Sequence, residues 1–360
     1  MRRHWQKKPL LIRQAWPGVQ APISRTALFD LAAADGVESR LLTRFDGTWR
    51  LRHGPLPRRA LPPLKKPDWT LLVQGLDLHW QPAHQMLQRF RFVPEARLDD
   101  LMLSYASDGG GVGPHLDSYD VFLLQVQGQR RWRIGPVADR SLVPGLPVRI
   151  LAKFQPTEEW LLEPGDMLYL PPLWGHDGVA LGECMTCSIG FRAASAGTLA
   201  HELLHQLADN LDLPDRDRLY RDRAQAATDQ PGRLPARLGD FARRALARAL
   251  QNPLALDHAL GMLMTEPKPR VWFEAGTARA ADPGQGLALD RRSRMLYDDQ
   301  HVFINGEAFR ASGRDAALMH SLADQRRLSA TELRRLSPPA RALLADWLAA
   351  GWLQPTSVQA

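Results

Sequence analysis

"GPHLDSYDVFLL", residues 113–124, begins as a break and ends as a strand. Gly113 and Pro114 interrupt regular structure, and "DVFLL" resumes it as an apolar run of β type. Between them stand His115 and Asp117, one residue apart. On a strand, residues i and i+2 point to the same face, so this spacing presents an imidazole and a carboxylate to one ion. A third ligand has to come from elsewhere. His176, in "LEPGDMLYLPPLWGHDGVA" (residues 162–180), is the candidate. There Pro164-Gly165-Asp166 reads as a tight turn and "MLYLP" as a buried strand that ends just before Trp174, Gly175 and His176. A return of 61 residues is long enough for a barrel strand to come back beside its partner.

Two imidazoles and one carboxylate form the facial triad of non-haem iron(II) oxygenases. Three protein ligands on one face of an octahedron leave three positions open, enough for a bidentate 2-oxo acid and dioxygen. An HxD pair alone is unspecific. Its combination with the glycine-rich approach "DGGGVGP" and the downstream turn, strand and histidine is much more specific. Arg130 adds to it. In "GQRRWRIG" (residues 128–135), Arg131 and Arg133 share one face, and Arg130 shares the other with Trp132 and Ile134. The second face is the apolar one, so Arg130 points inward, where a guanidinium requires an anionic partner. The distal carboxylate of 2-oxoglutarate fits. Ser104, on the same face as Met102 in "LMLSYA", can donate a hydroxyl to it.

The 360 residues exceed one ordinary core and predict two or three domains. The formal net charge is +7, and Lys occurs only at positions 7, 8, 65, 66, 153 and 268. The positive charge is therefore mostly arginine and reads as spread rather than clustered. It fits a surface that meets RNA, and equally a composition rich in Arg, Ala and Leu. No secretion signal is visible and no window approaches 18 apolar residues, so a cytoplasmic location is expected. Cys184 and Cys187 lie on one strand in "CMTCSIGF". Three residues apart, they face opposite ways, which suits structural cysteines rather than a zinc or redox pair.

Short β-type runs broken by Pro and Gly extend to about residue 197 and predict a β barrel or sandwich with a few helices near its start. From 198 to 267 the leucines and alanines fall at helical spacing. Residues 268–360 combine an Asn305-Gly306 hairpin signal, a Ser329/Glu332 capping box and an amphipathic helix ending at Gly351, a winged-helix-like pattern.

The segment "LDDLMLSYASDGGGVGPHLDSYDVFLLQVQGQRRWRIG" (residues 98–135) closely resembles the JmjC-type bacterial ribosomal oxygenases, cupin-superfamily arginine hydroxylases. "HWQKKPLLIRQAWP", "LLVQGLDLHWQP" and "LEPGDMLYLPPLWGHDGVA…CSIGFRA" are similar to the same family. The likeness is dense over residues 1–200 and looser beyond. It implies a double-stranded β-helix with iron(II) on His115, Asp117 and His176, 2-oxoglutarate on Arg130 and Ser104, and dioxygen as oxidant. It further implies a helical dimerisation segment making a homodimer, a C-terminal winged-helix-like domain, and hydroxylation of an arginine of large-subunit ribosomal protein sixteen at its β-carbon. The expected divisions are 1–197, 198–267 and 268–360. Direct DNA binding is not expected. Asp108 and Asp120 are candidates for contacting the substrate guanidinium at the pocket mouth.

Three other readings compete. One is a 2-oxoglutarate oxygenase acting on a different protein side chain. "HELLH" (residues 201–205) matches a zinc-protease motif, with His201 and His205 as ligands and Glu202 as base, but its extended form lacks the required Gly at 208 and ligand at 211. The last is a cupin that binds without chemistry, which the intact ligand set argues against.

Overall fold

The computed structural model describes residues 1–210, 218–224, 226–250, 253–275 and 284–356. Leu211 and Asp212, which bear on the extended protease motif, lie outside them. The chain divides into two compact units, Met1–Ala193 and Ala194–Ala360.

The first unit runs β1 (Leu10–Ile12), α1 (Arg25–Ala32), β2 (Ser39–Phe45), β3 (Thr48–His53), β4 (Trp69–Val73), α2 (Leu76–His79), α3 (Gln81–Gln88), β5 (Leu98–Ala106), β6 (Val121–Pro136), β7 (Glu158–Leu162), β8 (Met167–Leu170) and β9 (Trp174–Phe191). The strands pair antiparallel in the order β1-β8-β6-β9-β5-β4-β2-β3, with β7 on the far half of β6. This is the double-stranded β-helix the family resemblance implies. Its two layers are made by β6 and β9, each long enough to belong to both. The first half of β6 pairs with β8 and the second half of β9, whereas its second half pairs with β7 and the first half of β9. The register shifts between Gln125 and Gln129, where the strands bend. Gly128 sits in the bend at φ +63°, and a Cβ there would lie 2.1 Å from the Glu183 carbonyl oxygen, so only glycine is accommodated.

The strands are apolar on both faces because both are covered. On β5, Leu101, Leu103 and Tyr105 pack outward with Leu28, Phe29 and Leu76 of the helices, while Met102 and Ser104 face inward. On β6, Phe122 and Leu124 go to the outer core, and Val121 and Leu123 pack inward with Trp132, Ile134 and Leu170. Alternation between two buried layers explains why these strands read as near-continuous hydrophobic runs.

Asp120 shares the outward parity of Phe122. Its carboxylate, fully buried, accepts from Tyr169 Oη at 2.6 Å, Gln6 Nε2 at 3.0 Å and Arg97 Nη2 at 3.3 Å. Burial, then this carboxylate, raises the Tyr169 phenol above its usual range. Trp5 stacks on Tyr169 and Phe122 beside it, so Asp120 fastens the N-terminal segment to the barrel. Asp120→Ala strands these donors and is expected to cost about 3 kcal/mol, read as a fall of roughly 10 °C in the melting temperature.

The second unit opens with α4 (Ala196–Asn210), α5 (Ala236–Leu250) and α6 (Pro253–Thr265), within the stretch read as helical from its spacing. Two three-stranded sheets follow, β10 (Leu287–Leu289) with β14 (Arg327–Leu328) and β15 (Leu353–Pro355), and β11 (Met295–Tyr297) with β12 (His301–Ile304) and β13 (Glu307–Arg310). Helices α7 (Gly313–Gln325), α8 (Ala330–Arg335) and α9 (Pro338–Ala349) pack on them through Leu322, Leu344 and Trp347. Asn305 and Gly306 turn between β12 and β13 with φ +50° and +87°, and Ser329 and Glu332 form the expected capping box. This is the winged-helix-like domain. Among the described residues no helix is long and apolar enough to cross a membrane.

Candidate metal centre and its pocket

The glycine run carries the chain from β5 to His115, which makes a single two-way backbone bridge to His176: each N–H donates to the other's carbonyl at 2.9 Å. That bridge sets the two imidazoles side by side, 4.2 Å between ring centroids. His115 Nδ1 lies 2.9 Å from the Gly113 carbonyl and His176 Nδ1 3.0 Å from the Trp174 carbonyl. A carbonyl only accepts, so each Nδ1 carries the proton and each Nε2 is left as a lone pair. Asp117 Oδ2 is 3.6 Å from His176 Nε2, and one ligand atom from each of the three residues lies within 4.8 Å of the others. Among the described residues no other group of three such side chains converges in this way. Burial, reinforced by the neighbouring His115, pushes the His176 imidazole down to about 4, so it is neutral at pH 7 and able to ligate.

The three residues line a cavity of about 460 Å³ inside the barrel. Arg130 enters it from the second half of β6 and is 5% exposed, with Trp132 and Ile134 buried beside it and Arg131 and Arg133 exposed. The inward parity read from the sequence is what the structure has. Arg130 Nη1 donates to Ser104 Oγ at 3.0 Å and Thr186 Oγ1 at 3.3 Å, and its Nε is buried with no hydrogen-bond partner. Among the described residues no carboxylate pairs with it. Besides the two hydroxyls, the guanidinium has only the Trp132 ring, 5.5 Å from its carbon, so a buried cation is left incompletely satisfied, and the anion it calls for has to come from a ligand.

Thr186 was missed in the sequence. It lies in one row across the sheet, Ser104 on β5, Thr186 on β9 and Gln125 on β6, with Thr186 Oγ1 donating to Gln125 Oε1 at 2.8 Å. The alternation in "CMTCSIGF" carries the signal, because Thr186 shares its face with Ser188, which lines the pocket. Asp99, Asp100, Arg40 and Tyr119 also line the cavity and were not singled out. One Asp100 oxygen is fixed by Gln74 Nε2 at 2.6 Å and the Gly75 N–H at 2.9 Å.

Asp108 and Asp120 do not line the pocket. Asp108 Oδ1 accepts from the Gly182 N–H at 2.8 Å in a surface turn, and Asp120 is committed to the outer face as described. The structure thus places neither carboxylate on the described cavity, where the guanidinium contact was expected. Asp120 precedes Val121 by one residue, and parity alone turns it away from the cavity. Elsewhere, His201 and His205 are exposed neighbours on α4 with 4.5 Å between ring centroids, and among the described residues no third ligand joins them. Cys184 and Cys187 are buried thiols on β9, and burial raises Cys187 well above the usual thiol range.

Two family patterns match, the JmjC domain over residues 85–199 and the ROXA-like winged helix over residues 248–354. A probable ribosomal oxygenase of Haemophilus influenzae is 31% identical over 333 residues, 85% of this chain and 80% of that protein. The chain belongs to the ribosomal oxygenases. Within this family, the ribosomal protein uL16 3-hydroxylase of Escherichia coli is 40% identical over 211 residues, which span 58% of this chain and about half, 55%, of that protein. The crystal structure of E. coli YcfD superimposes with a TM-score of 0.87 at 28% identity, covering 99% of this chain and 96% of that one. The same ribosomal oxygenase, solved with cobalt and 2-oxoglutarate, gives 0.83 at 29% identity over 99% and 97%.

Proposed function

We propose that the chain is an iron(II)- and 2-oxoglutarate-dependent protein hydroxylase that places a hydroxyl on the β-carbon of an arginine in ribosomal protein uL16. The observation that carries this is one cavity holding both a converging His-Asp-His set and a buried, acid-free arginine. The family relatives named above support the substrate.

The donor set fits iron(II): two imidazole nitrogens and a carboxylate, from His115, His176 and Asp117, with ligand atoms close enough to share one ion. When bound, iron(II) with 2-oxoglutarate activates dioxygen, and the products are succinate, CO₂ and the hydroxylated side chain. The chain supplies orientation and exclusion of water. The Gly113 and Trp174 carbonyls hold the imidazoles in the ligating tautomer. Arg130, steadied by Ser104 and Thr186, grips the distal carboxylate of 2-oxoglutarate. Trp132, its ring 5.9 Å from that of His176, and Val121 and Leu123 keep the cavity wall apolar. The Asp100 oxygen left over by Gln74 and Gly75 is the acid offered to an incoming guanidinium, in place of Asp108 and Asp120. Helices in 198–267 form a dimerisation segment between a catalytic domain (1–197) and a winged-helix-like domain (268–360). The homodimer works in the cytoplasm, and the winged helix does not bind DNA directly.

Incubating the chain with recombinant uL16, iron(II) and 2-oxoglutarate is expected to add 16 Da to uL16, located on one arginine by fragmentation, with one succinate formed per hydroxyl. Succinate released with no change in uL16 mass would reassign the substrate.

A further inference from the structure

The chain's net charge has an address. Residues 40–67 hold eight Lys or Arg and one acid, Asp46. Of the chain's 46 basic and 39 acidic residues, removing those eight and that one leaves 38 of each, so this one segment carries the entire excess of +7. The positive charge is clustered, contrary to the even spread expected from the sequence.

The segment is the β2–β3 hairpin and the loop after it. Strand β3 is the last in the sheet, so its outer edge is unpaired. Arg44, Arg50, Arg52, Arg58, Arg59, Lys65 and Lys66 are all exposed, and among the described residues only Arg44 has an acid partner, Asp68 at 2.6 Å. Aromatic rings are interleaved with them. Phe45 is 64% exposed under Lys66, and Trp49 lies beneath Arg44. The hairpin is also a wall of the catalytic cavity, through Leu42 and Leu51, and Trp49 packs over Gly113, two residues before His115.

We propose that this hairpin edge is a docking surface for RNA, placed beside the pocket so that a ribosomal protein substrate is engaged together with RNA bound to it. Seven exposed cations on the hairpin and the loop after it match a phosphodiester backbone, and the exposed Phe45 ring among them offers a stacking platform for an unpaired base. The choice of RNA over another polyanion rests on the proposed substrate class. The surface itself does not.

The test is fluorescence anisotropy of the full chain with a labelled 20-nucleotide single-stranded RNA at increasing KCl, without iron or 2-oxoglutarate, so that it stands apart from catalysis. About seven phosphate contacts give a slope of log K against log salt near −5. The fourfold variant Arg50→Ala, Arg59→Ala, Lys65→Ala, Lys66→Ala is expected to bind at least about tenfold more weakly, with a slope shallower by about three. It should hydroxylate a free uL16 peptide as the wild type does. Phe45→Ala alone is expected to lose about tenfold. The matched variant Arg314→Ala, Arg334→Ala, Arg335→Ala, Arg341→Ala is expected to bind RNA normally. Equal affinity in the hairpin variant, loss only in the matched variant, or equal displacement of RNA by polyglutamate or duplex DNA would overturn the proposal.

Discussion

His176→Ala is expected to lower 2-oxoglutarate turnover by a thousandfold or more, at any iron concentration, while leaving the fold intact. Three features make the loss that large. His176 is buried and neutral, and its Nδ1 proton is taken by the Trp174 carbonyl, so its Nε2 has no function except to ligate. Its backbone bridge to His115 is independent of the side chain and survives truncation, so His115 and Asp117 keep their positions. Two ligands on an ion that prefers octahedral coordination neither hold it firmly nor fix which positions stay open. Succinate formation measured by mass spectrometry, with circular dichroism as the folding control, checks this. Turnover within tenfold of wild type would remove His176 from the centre.

Arg130→Met is expected to raise the KM for 2-oxoglutarate roughly a hundredfold with much less change in kcat, since truncating one side of a buried charged contact costs about 3 kcal/mol. The same substitution carries an opposite expectation for stability. Without ligand, Arg130 is a buried cation with an unsatisfied Nε and only hydroxyl acceptors. Methionine fills the space beside Trp132 without that penalty, so the variant without ligand should melt a few degrees higher than the wild type. A loss of affinity coupled to a gain in stability identifies an arginine kept for its ligand. If both fall together, Arg130 is a structural residue. Ser104→Ala and Thr186→Ala should each raise the same KM about fivefold.

How much of this was legible follows from parity. Arg130 and Ser104 sit on strands, where side chains alternate strictly, so spacing alone placed them on the inner face. His115 and Asp117 were read as a strand pair, but they lie in the loop before β6, and the isolated bridge from His115 to His176 is what brings them to the site. His176 was reachable because a turn and a buried strand lead straight to it. Thr186 and Asp100 were harder. Their inward direction follows from alternation, but their significance depends on which strands lie beside Ser104 and on the fold of "QG" at 74–75, and neither is local. Asp120 shows the reverse error: an acid near the motif was assigned to the mouth although its parity with Phe122 turned it to the outer core. The basic hairpin was missed because a chain-wide total was read where a local one was needed.

The central claim is that His115, Asp117 and His176 hold one ferrous ion. Anaerobic calorimetric titration of the metal-free chain with iron(II) tests it most directly. One ion per chain, lost in both His115→Ala and His176→Ala and retained in a His201→Ala, His205→Ala double variant, is the expected result. Stoichiometric binding that survives loss of His115 and His176, or that disappears with His201 and His205, would contradict the assignment.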